Sequence, residues 1–158
     1  MSIDPRRMTA HIDGDFVVFL IGMRVNSWWR IHDWLPVARG MRAMLRELDA
    51  NPQLGLLGFE EWFSNRVAII VQYWRSMDAL MDYAHAKAHL HVPAWRELNR
   101  RFARAGNGVG IWHETYRVPA GGYETIYRNM PRFGLGKATE LVEASGSRET
   151  ARGRMRAA

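Results

Sequence analysis

Three of the chain's six histidines, His85, His89 and His91, fall within the stretch AHAKAHLHVPAW. Imidazole both binds metals and moves protons near neutral pH. On a helix His85 and His89 lie one turn apart and share a face, a spacing that can chelate zinc. Neither the glutamate of an H-E-x-x-H stretch nor a third ligand accompanies them, so they read as a solvated helix surface. His91 differs. It precedes Pro93, where a helix is interrupted, and Trp95 follows, so it is placed to turn from the solvated row toward a sheet. A single imidazole so placed is what haem iron takes. His113, in IWHETY, is the second candidate. One histidine could hold iron while the other works as general acid–base. A structural role is the alternative for each. The chain has no cysteine, so any metal would rest on His, carboxylate or Tyr.

The elements that must position these groups follow from periodicity. DFVVFLIGMRVN, Asp15 to Asn26, has the β-branched and aromatic content of a buried strand. LPVARGMRAMLRELDANP puts Leu35, Ala38, Met41, Leu45 and Leu48 on one helical stripe that ends at Asn51-Pro52. LGLLGFEEWF and VAIIVQYWR read as strands joined by a Ser64-Asn65 hairpin. SMDALMDYAHAKAH begins a second helix capped by Ser76, AWRELNRRFARAG resumes helix, and VGIWHETYRV is a last strand. The order β-α-β-β-α-β is the ferredoxin-like α+β pattern, spanning 15–136. Residues 1–14 read as an N-terminal arm, 119–136 as a pocket-closing segment, and 137–158 as a basic, flexible tail. Helices cover one face of such a sheet. Its other face finds cover most simply on a second copy, giving a homodimer with a dimeric α/β barrel.

Strand alternation gathers Phe16, Val18, Leu20, Gly22, Arg24 and Asn26 in one row. Ala68, Ile70, Gln72 and Trp74 form another, and Val109, Ile111, His113 and Thr115 a third. Each row turns polar at its far end, which suggests a pocket lined by Arg24, Gln72 and His113; strand ends emerging into water are the alternative.

The formal charge is +6, but the last eleven residues hold +3 of it, and no block of Lys and Arg marks the rest. No nucleic-acid partner is expected. No apolar run is long enough to span a bilayer, and the N-terminus lacks the apolar core of a signal peptide, so a cytoplasmic protein without a membrane partner is expected. Seven tryptophans suit a deep apolar pocket for a small hydrophobic organic substrate, or a well-packed core.

ALMDYAHAKAHLHVPAWRELNRRF, followed by GIWHETYRVPAGGYETIYRNMPRFGLGKA, resembles the C-terminal part of the haem-containing aldoxime dehydratases. That resemblance implies haem b, with His91 as the proximal iron ligand and His113 as the distal acid–base group. Asn129, Pro131, Gly134 and Leu135 match its pocket-closing segment, and Arg24 is the candidate for its pocket arginine. Trp74 and Trp95 would flank the haem, and Gln72, Asn26, Tyr123, Tyr127, Asn129 and Met130 would line the substrate pocket. Dehydration of an aldoxime to a nitrile is the implied reaction. YWRS and the helix after it also look like the antibiotic-biosynthesis-type and haem-degrading monooxygenases, which share the dimeric barrel fold. As a whole the chain is similar to a family of short monooxygenase-like proteins. A cofactor-free or haem-using monooxygenase acting on a small aromatic or hydrophobic substrate is therefore the alternative, and a haem or hydrophobe carrier the non-enzymatic one.

Overall fold

The computed structural model describes residues 2–85 and 106–156. Two sheets organise them. The larger is antiparallel, in the order β3-β4-β2-β5, with β2 at Phe16–Val25, β3 at Leu56–Phe63, β4 at Val67–Trp74 and β5 at Val109–Val118. Helix α1 (Ile31–Ala50) links β2 to β3, and α2 (Met77–His85) follows β4. The chain thus has the ferredoxin-like α+β fold, with the first and third strands of the unit side by side at the centre.

Local chemistry sets the boundaries. Ser64 N–H donates to Val67 O at 2.8 Å and closes the β3–β4 hairpin. Ser76 Oγ accepts the Ala79 N–H at 3.1 Å and so caps the start of α2. Helix α1 begins at Ile31, earlier than the stripe starting at Leu35 suggests, and carries Pro36 inside it. Lying just past the first turn, Pro36 has no N–H to give the His32 carbonyl, so the helix forgoes one backbone hydrogen bond there. Asp33 anchors this first turn: its carboxylate is buried, lies 2.6 Å from Arg30 Nε and rests on Gly108. A side chain at Gly108 would collide with that carboxylate, so glycine there joins the start of α1 to the start of β5.

One face of the sheet packs on the helices. Val17 and Trp74 cluster with Leu48, Leu80 and Tyr83, while Met23, Val25 and Val109 cluster with Val37. Ile21 and Ile70 meet Leu45 between them. Tyr83 ties the two helices together by donating to Glu47 Oε2 at 3.0 Å.

The smaller sheet overturns two expectations. In place of an arm, residues Asp4–His11 form β1, and in place of a flexible tail Glu140–Glu143 form β7. With β6 (Tyr127–Met130) they make a sheet in the order β6-β1-β7. A short helix, α3 (Leu135–Ala138), joins β6 to β7, and α4 (Ala151–Arg156) ends the described chain. Arg154 is buried there. Its Nε donates to Glu124 Oε1 at 2.6 Å, and its Nη1 to the carbonyls of Glu149 at 2.8 Å and Arg148 at 3.1 Å. The arginines that make the tail look solvated thus include the one that fastens it.

Candidate functional site

Register decides which candidate residues share a face. Ile21 pairs with His113 and Ile70, Phe19 with Gln72 and Thr115, and Val17 with Trp74. Directly paired residues point to the same side of a sheet. His113, Thr115, Gln72 and Trp74 therefore lie with Phe19 and Ile21 on the helix face. Arg24 pairs with Val67 and Gly110 and belongs to the opposite face. The expected pocket of Arg24, Gln72 and His113 is corrected accordingly: alternation was read rightly within each strand, but β2 was joined to its neighbours one residue out of phase. Arg24 is exposed, and its guanidinium donates to Asn26 Oδ1. Asn26 O also accepts Arg66 Nη1–H at 3.0 Å, so Asn26 organises two arginines at the sheet's end instead of lining a pocket.

On the helix face, Trp74 is fully buried, with its ring centroid 5.6 Å from that of Tyr83. It is a core residue, not a wall for a cofactor. Its indole Nε1–H donates to Gln72 Oε1 at 2.8 Å. An indole N–H only donates, so this bond fixes the amide orientation and leaves the Gln72 Nε2 protons turned elsewhere. Nε2 is buried and has no acceptor among the described residues. A buried amide donor without a partner costs about 1–3 kcal/mol and points to something it is kept for. Across β2, His113 is exposed and tilts against Phe19, ring centroids 5.7 Å apart. Two strand spacings and two residues separate the backbones of His113 and Gln72, about 12 Å. Phe19 is the floor between them.

The opposite face holds a cleft of about 450 Å³ between the sheet and the segment from Gly122 to Leu135. Phe16, Val18 and Tyr73 of the sheet meet Tyr123, Tyr127 and Leu135 there. The Tyr123 hydroxyl oxygen accepts from Ile12 N at 2.9 Å and that of Tyr127 from Gly136 N at 3.0 Å. Burial pushes the hydroxyls of Tyr73, Tyr123 and Tyr127 above the usual tyrosine range, so all three stay neutral donors at ordinary pH. Asn129 and Met130 fall outside this cleft, exposed at the end of β6, with Asn129 in the left-handed region at φ 54°. Sequence reasoning missed Tyr73. The signal was its place between Gln72 and Trp74, which forces it to the other face.

Outside the described residues lie His89, His91 and Trp95. Among the described residues no group of three or more His, Cys, Asp or Glu is placed to hold a metal ion.

Comparison with known proteins gives this fold a context. Over 137 residues the chain is 27% identical to monooxygenase af470 of Aspergillus fumigatus, covering 82% of this chain and 48% of that protein. It thus spans about half the length of the relative it matches. SnoaB of Streptomyces nogalater, a cofactor-independent oxygenase, matches 65% of this chain and 91% of its own at 14% identity and a TM-score of 0.42. A possible oxidoreductase of Bacteroides thetaiotaomicron matches 65% and 97% at 15% identity and the same TM-score. The aldoxime dehydratase resemblance, and with it haem b, iron and lyase chemistry, is corrected by these findings. The curated relative is a monooxygenase, and the His113 ring tilts against that of Phe19. The family model described as monooxygenase af470-like matches residues 16–135, from the first residue of β2 to the first of α3, and the chain belongs to that family.

Proposed function

We propose that this protein is a monooxygenase that oxidises a small hydrophobic aromatic substrate with O₂ and no bound cofactor, at the His113 side of the helix face. One observation carries the assignment: an exposed imidazole and a buried amide donor, unpartnered among the described residues, flank one aromatic ring, Phe19. Oxygenation without a cofactor needs a substrate that is itself the reductant. A methylene held between aromatic rings meets this need, because CH₂ and O₂ give C=O and H₂O. One oxygen atom enters the product, the other leaves as water, and the substrate carbon supplies all four electrons. His113 takes the proton from the methylene, which leaves a carbanion able to give up electrons to O₂. The same proton returns to the peroxide once O₂ has added to the carbon, and loss of the second C–H proton then forms C=O, breaks the O–O bond and joins the departing hydroxide as water. Gln72 Nε2–H donates to the oxygen on which the carbanion's charge delocalises. The neutral tyrosines across the sheet are donors and not bases, and the carboxylate beside them, Glu60, is engaged by the Gly134 N–H at 3.1 Å and by Lys137 at 3.3 Å.

The half-buried row Leu20, Ile69, Val71 and Trp112 on the open face supports a homodimer packed sheet to sheet. Light scattering would show twice the chain mass.

The function is tested by O₂ uptake with anthrone-type substrates under ¹⁸O₂. One labelled oxygen per product and one O₂ consumed per turnover are expected. His113→Ala should reduce turnover by about 10²–10⁴-fold. Binding without O₂ uptake would instead make the protein a hydrophobe carrier. A second reading places the substrate in the tyrosine cleft, and the volume of that cleft favours it. In that case Tyr127→Phe, not His113→Ala, would carry the loss.

A further inference from the structure

At one end of the large sheet, where β2 runs into α1 and β3 turns into β4, apolar side chains stand out in solvent. Trp29 is 91% exposed, Phe63 67% and Ile31 53%. Burial would normally be expected of such side chains, and Trp29 commits little of its surface to the fold. Its neighbour Trp28 does the anchoring: its ring packs edge-on to Trp34 at 5.8 Å, and its carbonyl accepts the Trp34 indole N–H at 3.3 Å. The loop is therefore held from one tryptophan while the other projects.

Among the described residues the charge at this end is mainly positive. Arg24 and Arg66 are exposed on either side of Asn26, which accepts from both. No Asp or Glu occurs in residues 16–32 or 62–77. The nearest acids are Asp33, buried and already paired with Arg30, and Glu61, two residues before Phe63.

We propose that this end docks on an anionic membrane surface, with Trp29, Ile31 and Phe63 entering the interface and Arg24 and Arg66 meeting lipid phosphates. Tryptophan is favoured at the depth of the headgroups, where an apolar ring and an N–H are both accommodated. Projecting apolar tips together with a cationic collar supply the two signals that reversible surface binding needs. Among the described residues no helix is long and apolar enough to cross a membrane, so the contact is peripheral. A second copy fits the patch less well, because pairing it with itself sets arginines against arginines. The inference departs from the expectation of no membrane partner, and it does not depend on the proposed reaction.

Co-sedimentation of the full chain with phosphatidylglycerol-containing vesicles, against pure phosphatidylcholine vesicles, tests it. Binding to the anionic vesicles only is expected, with a blue shift of tryptophan emission. The double variant Trp29→Ala/Phe63→Ala should bind about tenfold or more weakly, with an unchanged circular dichroism spectrum. Arg66→Gln, which leaves the apolar tips intact, should weaken binding severalfold and flatten its dependence on salt. Failure of the wild-type chain to bind anionic vesicles, or equal binding by both variants, overturns the proposal. So does self-association that needs Trp29 in the absence of lipid, which would make the patch an interface between copies.

Discussion

Three consecutive residues of β4 show how differently the two faces of one sheet are used. Gln72 and Trp74 point to the helices, are buried, and bond to each other; Tyr73 between them points to the open cleft with Tyr127 and Leu135. On the helix face, polar groups are few and each is committed to a partner or conspicuously lacks one. On the cleft face, hydroxyls are plentiful but their oxygens are occupied by backbone N–H groups, and burial keeps them protonated. Having room for a ligand and having an exposed imidazole for a reaction are therefore separate properties here, found on opposite sides of the same strands; the carboxylate on the cleft side, Glu60, is held by Gly134 and Lys137.

Substitutions that unbalance this division should differ in size. Trp74→Ala empties the centre of the helix-face core and frees Gln72 Oε1, so a loss of about 3–5 kcal/mol is expected in urea unfolding. A loss under 1 kcal/mol would show that the face is not packed as described. Arg154→Ala removes the tie between α4 and Glu124 behind the cleft, and about 2–3 kcal/mol should be lost. Early proteolysis confined to residues beyond Tyr123 would show that this tie holds the smaller sheet in place. Gly22→Ala tests the open face, where a Cβ would lie 2.6 Å from Trp112 Nε1 and 2.9 Å from Ala68 O. Overpacking of about 1–3 kcal/mol is expected, with a changed Trp112 fluorescence. Tyr127→Phe leaves the Gly136 N–H without its acceptor, about 1 kcal/mol, and should leave turnover unchanged. A tenfold fall in turnover would move the chemistry to the cleft.

The smallest effect is on pH dependence. Tyr73, Tyr83 and Tyr127 all have hydroxyl pKa values raised on folding, mainly by burial. The unfolded chain releases these protons first, so their contribution is complete below the ordinary tyrosine value of 10.0 and is lost as pH rises above it. Thermal melts at rising alkaline pH should show a falling midpoint, shallower in Tyr127→Phe.

Much of this fold is readable from local patterns. The β-branched run of β2, the Ser64-Asn65 turn and the Ser76 cap each act within a few residues, so sequence reports them directly. The smaller sheet was not readable, because β1 is mostly polar, β7 has only four residues, and their pairing joins distant parts of the chain. Nor was the use of Arg154, since a charged residue fastened to Glu124 looks the same in sequence as a solvated one. For the site, alternation placed His113 with Thr115 and Gln72 with Trp74. Which strand rows coincide is set by register, and that pulled Arg24 away. The haem expectation failed for a different reason: it grew from the placement of His91 and His113 and a resemblance in two short segments, and no spacing of ligands required it.

Turnover of an anthrone-type substrate under ¹⁸O₂, compared between the wild-type chain, His113→Ala and Tyr127→Phe, tests the central claim most directly. One labelled oxygen per product, abolished by His113→Ala and kept by Tyr127→Phe, is the expected result. Full activity in His113→Ala, or unlabelled product, would contradict it.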